Sequence, residues 1–147
     1  MTAGEYCNRE VVVAEKGESI RSAVNLMRQH HVGDVVVLDA AANKPVGILT
    51  DRDIVIEVLA EDVDLDALSI GDVMSFAPVS VSEETRLLDA IKLMRVKGVR
   101  RLLVVNQQGG LVGIISVEDI LELIGEQLSD LVALVSREIS NEVHKRH

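Results

Sequence analysis

Aromatic side chains are almost missing from this chain: Tyr6 and Phe76 are the whole complement, 1% of its residues. Proteins that read RNA or single-stranded DNA stack bases on aromatic rings, so that class of function is disfavoured. Basic charge is scarce too, with 15 Lys and Arg against 24 Asp and Glu and a net charge of -9. DNA binding rests on neutralising phosphates, and most of such a surface repels a polyanion. A small phosphate ligand needs only a local basic cluster. The one cysteine, Cys7, cannot close an intrachain disulfide, so nothing points to an oxidising compartment. No apolar run approaches the ~20 residues needed to cross a bilayer. The opening residues carry Glu5, Arg9 and Glu10 and lack the apolar centre of a signal peptide. The expectation is a cytoplasmic protein with neither a membrane nor a nucleic acid as partner.

What the chain has is aliphatic residues and a repeat. Hydrophobic residues make up 48% of 147, enough for one compact domain or two halves sharing a core built from Val, Leu, Ile, Ala and Met. Ala23, Leu26, Met27, Arg28, Val32 and Val37 return 67 positions later as Ala90, Leu93, Met94, Arg95, Val99 and Val104. One loop further the offset becomes 66, and "VGILTDRDI" from Val46 matches "VGIISVEDI" from Val112. A one-residue slip between matched apolar segments marks a loop. Gly4, Glu5, Tyr6 and Cys7 align with Gly71, Asp72, Val73 and Met74, so Cys7 reads as a buried apolar lead-in like Met74.

Each copy predicts the same elements. A short strand (Val11 to Ala14, or Val79 to Val81) leads into a helix whose apolar residues fall at i, i+3, i+4 and i+7: Ile20, Ala23, Val24 and Met27, then Leu87, Ala90, Ile91 and Met94. Two strands follow, Asp34 to Leu38 and Val46 to Leu49, matched by Arg101 to Val105 and Leu111 to Ile115, with a second helix after them. Turn residues, Ala40 to Pro45 and Asn106 to Gly110, separate the strands of each pair. Continuous "VVVL" and "LLVV" runs suit strands covered on both faces. The boundaries predicted are 4–60 for the first copy, 61–70 for an acidic, solvated connector, 71–124 for the second copy and 125–147 for a helical extension and tail.

The doubled corner carries the chemistry. After each G-h-h strand comes a hydroxyl and, three residues on, an acid: Thr50 with Asp53, and Ser116 with Asp119. A single instance reads as a helix capping box. Two instances at matched positions also fit a ribose-phosphate grip. There the helix N-terminus and the hydroxyl meet a phosphate while the carboxylate accepts from vicinal ribose hydroxyls.

This doubled pattern, with "GDVMS" ahead of the second copy and "GVRRLLVV" inside it, resembles a pair of cystathionine-β-synthase-type (CBS) domains, a Bateman module, from about Gly4 to Leu123. The resemblance implies an α/β (α+β) fold of two β-α-β-β-α repeats about a pseudo-twofold axis, here with an extended C-terminal helix. It implies adenosyl ligands such as AMP, ADP, ATP or S-adenosylmethionine, and commonly a disc-like homodimer. Carried over by position, Thr50 and Ser116 contact phosphate and Asp53 and Asp119 hold ribose. An aliphatic adenine slot consists of Val12, Val13 and Ile48 in one copy and of Val79, Ser80 and Ile114 in the other. Arg100 and Arg101 lie where some relatives place basic residues near phosphates. Gly33 and Asp34 stand there in the first copy, so the two clefts are expected to differ, and a phosphate could borrow an arginine across the pseudo-twofold.

Arg95, matched by Arg28 within a helix, reads as a solvated surface residue. His30 and His31 read as helix-end residues, since neighbouring helical side chains diverge; His144 and His147 fall in a basic tail. No zinc spacing, phosphate-binding loop or nucleophile elbow occurs. From about Val117 to Glu142 a helix repeats Leu121, Ile124, Leu128, Leu131, Val135 and Ile139 at steps of three and four, near a coiled-coil seam. Beyond Leu128 it is expected to pack on a second subunit. The expected function is an adenine-nucleotide sensor without catalytic residues or a required cofactor, acting in trans on a protein partner. Any Mg²⁺ would enter with ATP through Asp51 and Asp53. The alternatives are an interaction dimer with vestigial clefts, or a nucleotide hydrolase, for which no base or nucleophile is evident.

Overall fold

The computed structural model describes residues 1–76 and 78–146. His147, assigned above to the tail, lies outside them. The chain divides into two compact units, Met1–Ile115 and Ser116–His147. In order, the elements are helix α1 (Ala3–Tyr6), strand β1 (Val13–Ala14), helix α2 (Ile20–His30), strands β2 (Asp34–Asp39) and β3 (Lys44–Thr50) and helix α3 (Asp51–Ile54). Helix α3 runs into a π-helical turn at Val55–Leu59. Helix α4 (Ile70–Val73), strands β4 (Ser75–Phe76) and β5 (Ser80–Ser82), helix α5 (Leu87–Lys97), strands β6 (Arg101–Val105) and β7 (Leu111–Ser116) and helix α6 (Val117–Arg146) complete the chain.

Local chemistry explains the main elements. The Ser19 hydroxyl accepts from the Ser22 amide at 3.1 Å and starts α2. Ile20 and Ala23 are fully buried, with Val24 and Met27 packed against the same core. His31 closes this helix in the left-handed conformation, φ 53°, as Gly98 closes α5 at φ 65°. The two residues are repeat equivalents, but only the glycine takes that conformation without steric cost. Both histidines thus sit at the helix end, as expected.

Strands β1-β2-β3-β4 form one sheet and β5-β6-β7 another. β1 runs parallel to β2 and β5 parallel to β6, while β2–β3 and β3–β4 are antiparallel. Val35, Val36 and Val37, and Leu102, Leu103 and Val104, are at most 1% exposed, so both central strands are covered on both faces. The entering strands are shorter than expected, Val13–Ala14 and Ser80–Ser82. Ahead of each, the backbone is already engaged: the Val12 carbonyl accepts from the Val36 amide and the Val79 carbonyl from the Leu103 amide.

The two copies trade their leading segments. The Ala3 and Gly4 amides donate to the Thr85 and Glu83 carbonyls of the second copy, at 2.8 and 2.9 Å. At matched positions, the Ile70 and Gly71 amides donate to the Glu18 and Lys16 carbonyls of the first copy, both at 2.8 Å. Further along, Asn8 bridges to Ile114 while Ser75 pairs with Ile48. Glycine makes the crossing possible. A Cβ on Gly113 would lie 2.6 Å from the Asn8 carbonyl oxygen and 2.7 Å from Cys7 Sγ; one on Gly47 would lie 2.5 Å from Met74 Sδ and 2.9 Å from the Ser75 oxygen. Cys7 and Met74 thus meet the matched glycines of the two copies, but Met74 is buried in the core whereas Cys7 is only half-buried.

The connector departs from its expected solvated character. Glu61, Asp62, Asp64 and Asp66 are exposed, but Val63, Leu65 and Leu68 pack on the first core and Ile70 is fully buried. The segment runs through turns, with the Asp62, Val63 and Ala67 amides bonded to the Leu59, Val58 and Asp64 carbonyls, and these leave the acids in water while the aliphatics pack inward.

Candidate functional site

A cleft of about 550 Å³, within the usual range for a small-molecule site, opens inside the first unit. Ile48 and Thr50, at the end of β3, line it together with Asp51 and Arg52 of α3. Ser75, Phe76, Pro78 and Val79 arrive with the second copy's leading segment. Val99, Arg100, Arg101 and Leu103 complete the wall at the start of β6. The cleft is thus built across the two copies, and this corrects the grouping drawn from the sequence. Ile48 shares its slot with Val79, not with Val12 and Val13, because β4 binds the second copy's lead-in to the edge of β3. Val13 instead faces a shallow hollow with Glu15, Glu18 and Leu38. Ser80 is exposed on β5 and is not among the lining residues. Phe76, 70% exposed, brings an aromatic ring to a slot expected to be aliphatic only.

The corner itself forms a capping box. The Thr50 hydroxyl accepts from the Asp53 amide at 3.1 Å, and the Asp53 carboxylate accepts from the Thr50 amide at 3.0 Å. Ser116 and Asp119 repeat this at 3.2 and 3.1 Å. A third box joins Ser69 and Asp72, which line no part of the cleft. The hydrogen bonds of punctuation are therefore present at both corners, yet they do not exhaust the groups. A hydroxyl that accepts through a lone pair keeps its proton for donation, and a carboxylate has about four acceptor positions. Thr50 lines the cleft, whereas Asp53 stands behind it in the box.

Charge in the cleft runs against the chain as a whole. Arg52, Arg100 and Arg101 face one acid, Asp51, in a protein of net charge -9. Arg101 Nε contacts Asp34 Oδ2 at 2.7 Å, and the two occupy the same position of the two copies. The pair joins the two copies, and Arg101 here meets a carboxylate of the first copy. At the other corner Ile114 is half-buried, held by mutual backbone hydrogen bonds with Asn8 at 2.8 and 3.0 Å.

Cys7 is half-buried; burial pushes its thiol pKa up, outweighing the opposing pull of Arg9, and Sγ lies 3.6 Å from the Gly4 carbonyl oxygen. That favours the neutral thiol over a reactive thiolate. Among the described residues no group of three His, Cys, Asp or Glu could hold a metal ion, and no helix is long and apolar enough to cross a membrane.

Sequence reasoning missed Ser75, Phe76, Pro78, Val99 and Leu103 as wall residues; it had singled out Asp51 only as an acid for Mg²⁺ and Arg52 only as a difference from Glu118 between the two clefts. Adjacency to Arg100 could have flagged Val99. For Ser75, Phe76 and Pro78 the missing information was the crossing of the lead-in.

Comparison with known proteins agrees with this architecture. An uncharacterized protein of Methanopyrus kandleri is 35% identical over 84% of this chain, which spans 62% of that relative's length. A hexameric CBS-CP12 protein from bloom-forming cyanobacteria matches with a TM-score of 0.74 at 30% identity, covering 82% of this chain and 66% of that one. A CBS domain protein from Pyrobaculum aerophilum, solved in complex with AMP, matches with a TM-score of 0.74 at 27% identity, covering 81% and 89%. The CBS domain model matches twice, at residues 3–60 and 70–126, once over each copy of the repeat. With two matched copies, traded lead-ins and a cleft between them, the chain belongs to the CBS domain family.

Proposed function

We propose that the cleft between Thr50 and Arg100 binds an adenosine phosphate, and that the chain is a regulatory module whose occupancy is read by a protein partner. The observation that carries this is convergence. A hydroxyl corner from one copy meets arginines and an apolar wall from the other in one cavity of suitable size. Thr50 donates to the phosphate, Arg100 and Arg101 neutralise it, the carboxylate of Asp53 accepts from ribose, and Ile48, Val79 and Phe76 hold adenine. The relative from Pyrobaculum aerophilum supports AMP as the first ligand to try.

Gly33 and Asp34 replace the two arginines at the matched positions, so the chain offers a single tight phosphate site. Val12, Val13, Ser80 and Ile114 stand outside this cleft. Occupancy changes output only through differential affinity for two states of the module or its complex.

The third capping box favours a second reading, in which both corners only punctuate helices and the module serves as an interaction scaffold. Calorimetry separates the two. Asp53→Ala and Asp72→Ala each remove one box, at a cost of about 1 kcal/mol. Only Asp53→Ala is expected to weaken AMP binding, by tenfold or more. No heat with AMP, ADP, ATP or S-adenosylmethionine, or equal behaviour of the two variants, refutes the nucleotide site.

A further inference from the structure

Helices α2 and α5 hold matched places in the two copies, yet their outward faces differ. The exposed face of α2 consists of Arg21, Asn25, Arg28 and Gln29, and Arg21 is tied to Asp66 at 2.7 Å. At the four matched positions α5 presents Leu88, Lys92, Arg95 and Val96. At ~100° per residue these fall within an arc of about 100°, with Leu88 and Val96 two turns apart. Leu88 is 72% exposed and Val96 79%. Neither Lys92 nor Arg95 makes an ion pair among the described residues. The first copy folds with a wholly polar face here, so the fold itself does not require the two aliphatics. A helix that is apolar on its outer side as well as its inner one is expected to be covered.

Charge selects the cover. Residues 86–101 hold six of the chain's 15 Lys and Arg and one of its 24 Asp and Glu, whereas the matched stretch 19–34 holds two and one. A basic face on an acidic protein attracts an acidic surface and repels a basic one. A second α5 does not fit, because a twofold contact would set Lys92 and Arg95 against their own copies. The face is also small, about 16 Å long and ~10 Å wide, well short of the ~800 Å² per partner of a stable interface. That is the scale of a transient contact. A bare polyanion would neutralise the cations but leave Leu88 and Val96 in water. A helix with aliphatic residues two turns apart, flanked by Asp or Glu, satisfies both.

We infer that the outward face of α5 docks an acidic amphipathic helix of a partner protein. As the partner of a regulatory module it rests on that reading; the contact itself needs no nucleotide, so it is tested without one and the two can fail separately. The probe is a fluorescent peptide of Glu, Ala and Leu, about 16 residues long so that a helix can form, with leucines at every third or fourth position. Titrated into the full chain and followed by anisotropy, it should bind saturably and more weakly as salt rises. It should bind at least tenfold tighter than the same peptide with Lys for Glu or with Ser for Leu. Lys92→Glu and Val96→Ser should each weaken it about fivefold or more. Asn25→Glu, the matched charge change on α2, should leave it unaltered, and all three variants should keep the parent melting temperature. No saturable binding, equal binding of the Ser peptide, or an equal loss in Asn25→Glu would overturn the proposal. So would sedimentation showing that Val96→Ser breaks up an assembly of the chain, which would assign the face to a second copy.

Discussion

Replacing Asp34 by Asn should make the protein less stable and its ligand tighter. Asp34 holds Arg101 at 2.7 Å with 21% of its side chain exposed, against 35% for the arginine. Such a pair lies between an exposed one, worth up to about 1 kcal/mol, and a buried one, whose disruption costs about 3–5 kcal/mol. A loss of about 1–2 kcal/mol is expected, which lowers the melting temperature by about 2–8 °C at this chain length. The ligand's phosphate feels the opposite effect. A carboxylate ~8 Å from a phosphate charge repels it by about 2 kcal/mol at an effective dielectric of ~20. Salt at physiological strength reduces this to about 1 kcal/mol, or roughly fivefold in affinity. Titration calorimetry with AMP and with adenosine, beside thermal melts, reads both effects. AMP should bind about fivefold tighter to Asp34→Asn, and adenosine, which has no phosphate, should not. Affinity for AMP that drops with stability, or an equal gain for adenosine, would refute the reasoning.

Two further outcomes follow from the backbone. Gly113→Ala forces a Cβ to 2.6 Å from the Asn8 carbonyl oxygen and should cost about 1–3 kcal/mol, whereas Gly17→Ala meets nothing within 4 Å and should be neutral or stabilising by up to about 1 kcal/mol; equal melting temperatures for the two variants would count against the crossing. His31→Gly relieves a left-handed histidine and should stabilise by about 0.5–1 kcal/mol, while Gly98→Ala should destabilise by a similar amount; a lower melting point for His31→Gly would show that its side chain matters more than its backbone.

The repeat, the order of elements and the burial of both central strands were legible because they follow from aliphatic periodicity and a constant offset. The corners were legible as residues, yet their reading stayed double, since Thr50 and Asp53 make the same hydrogen bonds in a capping box that Ser69 and Asp72 make away from any cleft. The partners of each segment were not legible. A 67-residue offset says that Gly4 is equivalent to Gly71, but not that Gly4 rests on Glu83 while Gly71 rests on Lys16. Intramolecular exchange leaves composition and spacing unchanged, so Ile48 was paired with Val12 and Val13 when its neighbour is Val79. The connector was misjudged from its acids alone; Val63 and Leu65, alternating with them, held the signal.

The traded lead-ins bear on how the chain acquires its structure. Neither copy can seal its own sheet: Asn8 finishes the edge beside Ile114, and Ser75 finishes the edge beside Ile48. A polypeptide cut between the copies would leave two pieces with raw edges, each missing a closing strap that only the other carries. Melting of the first unit should therefore be a single cooperative event, and a lone copy could satisfy its edge by borrowing the strap of an identical neighbour.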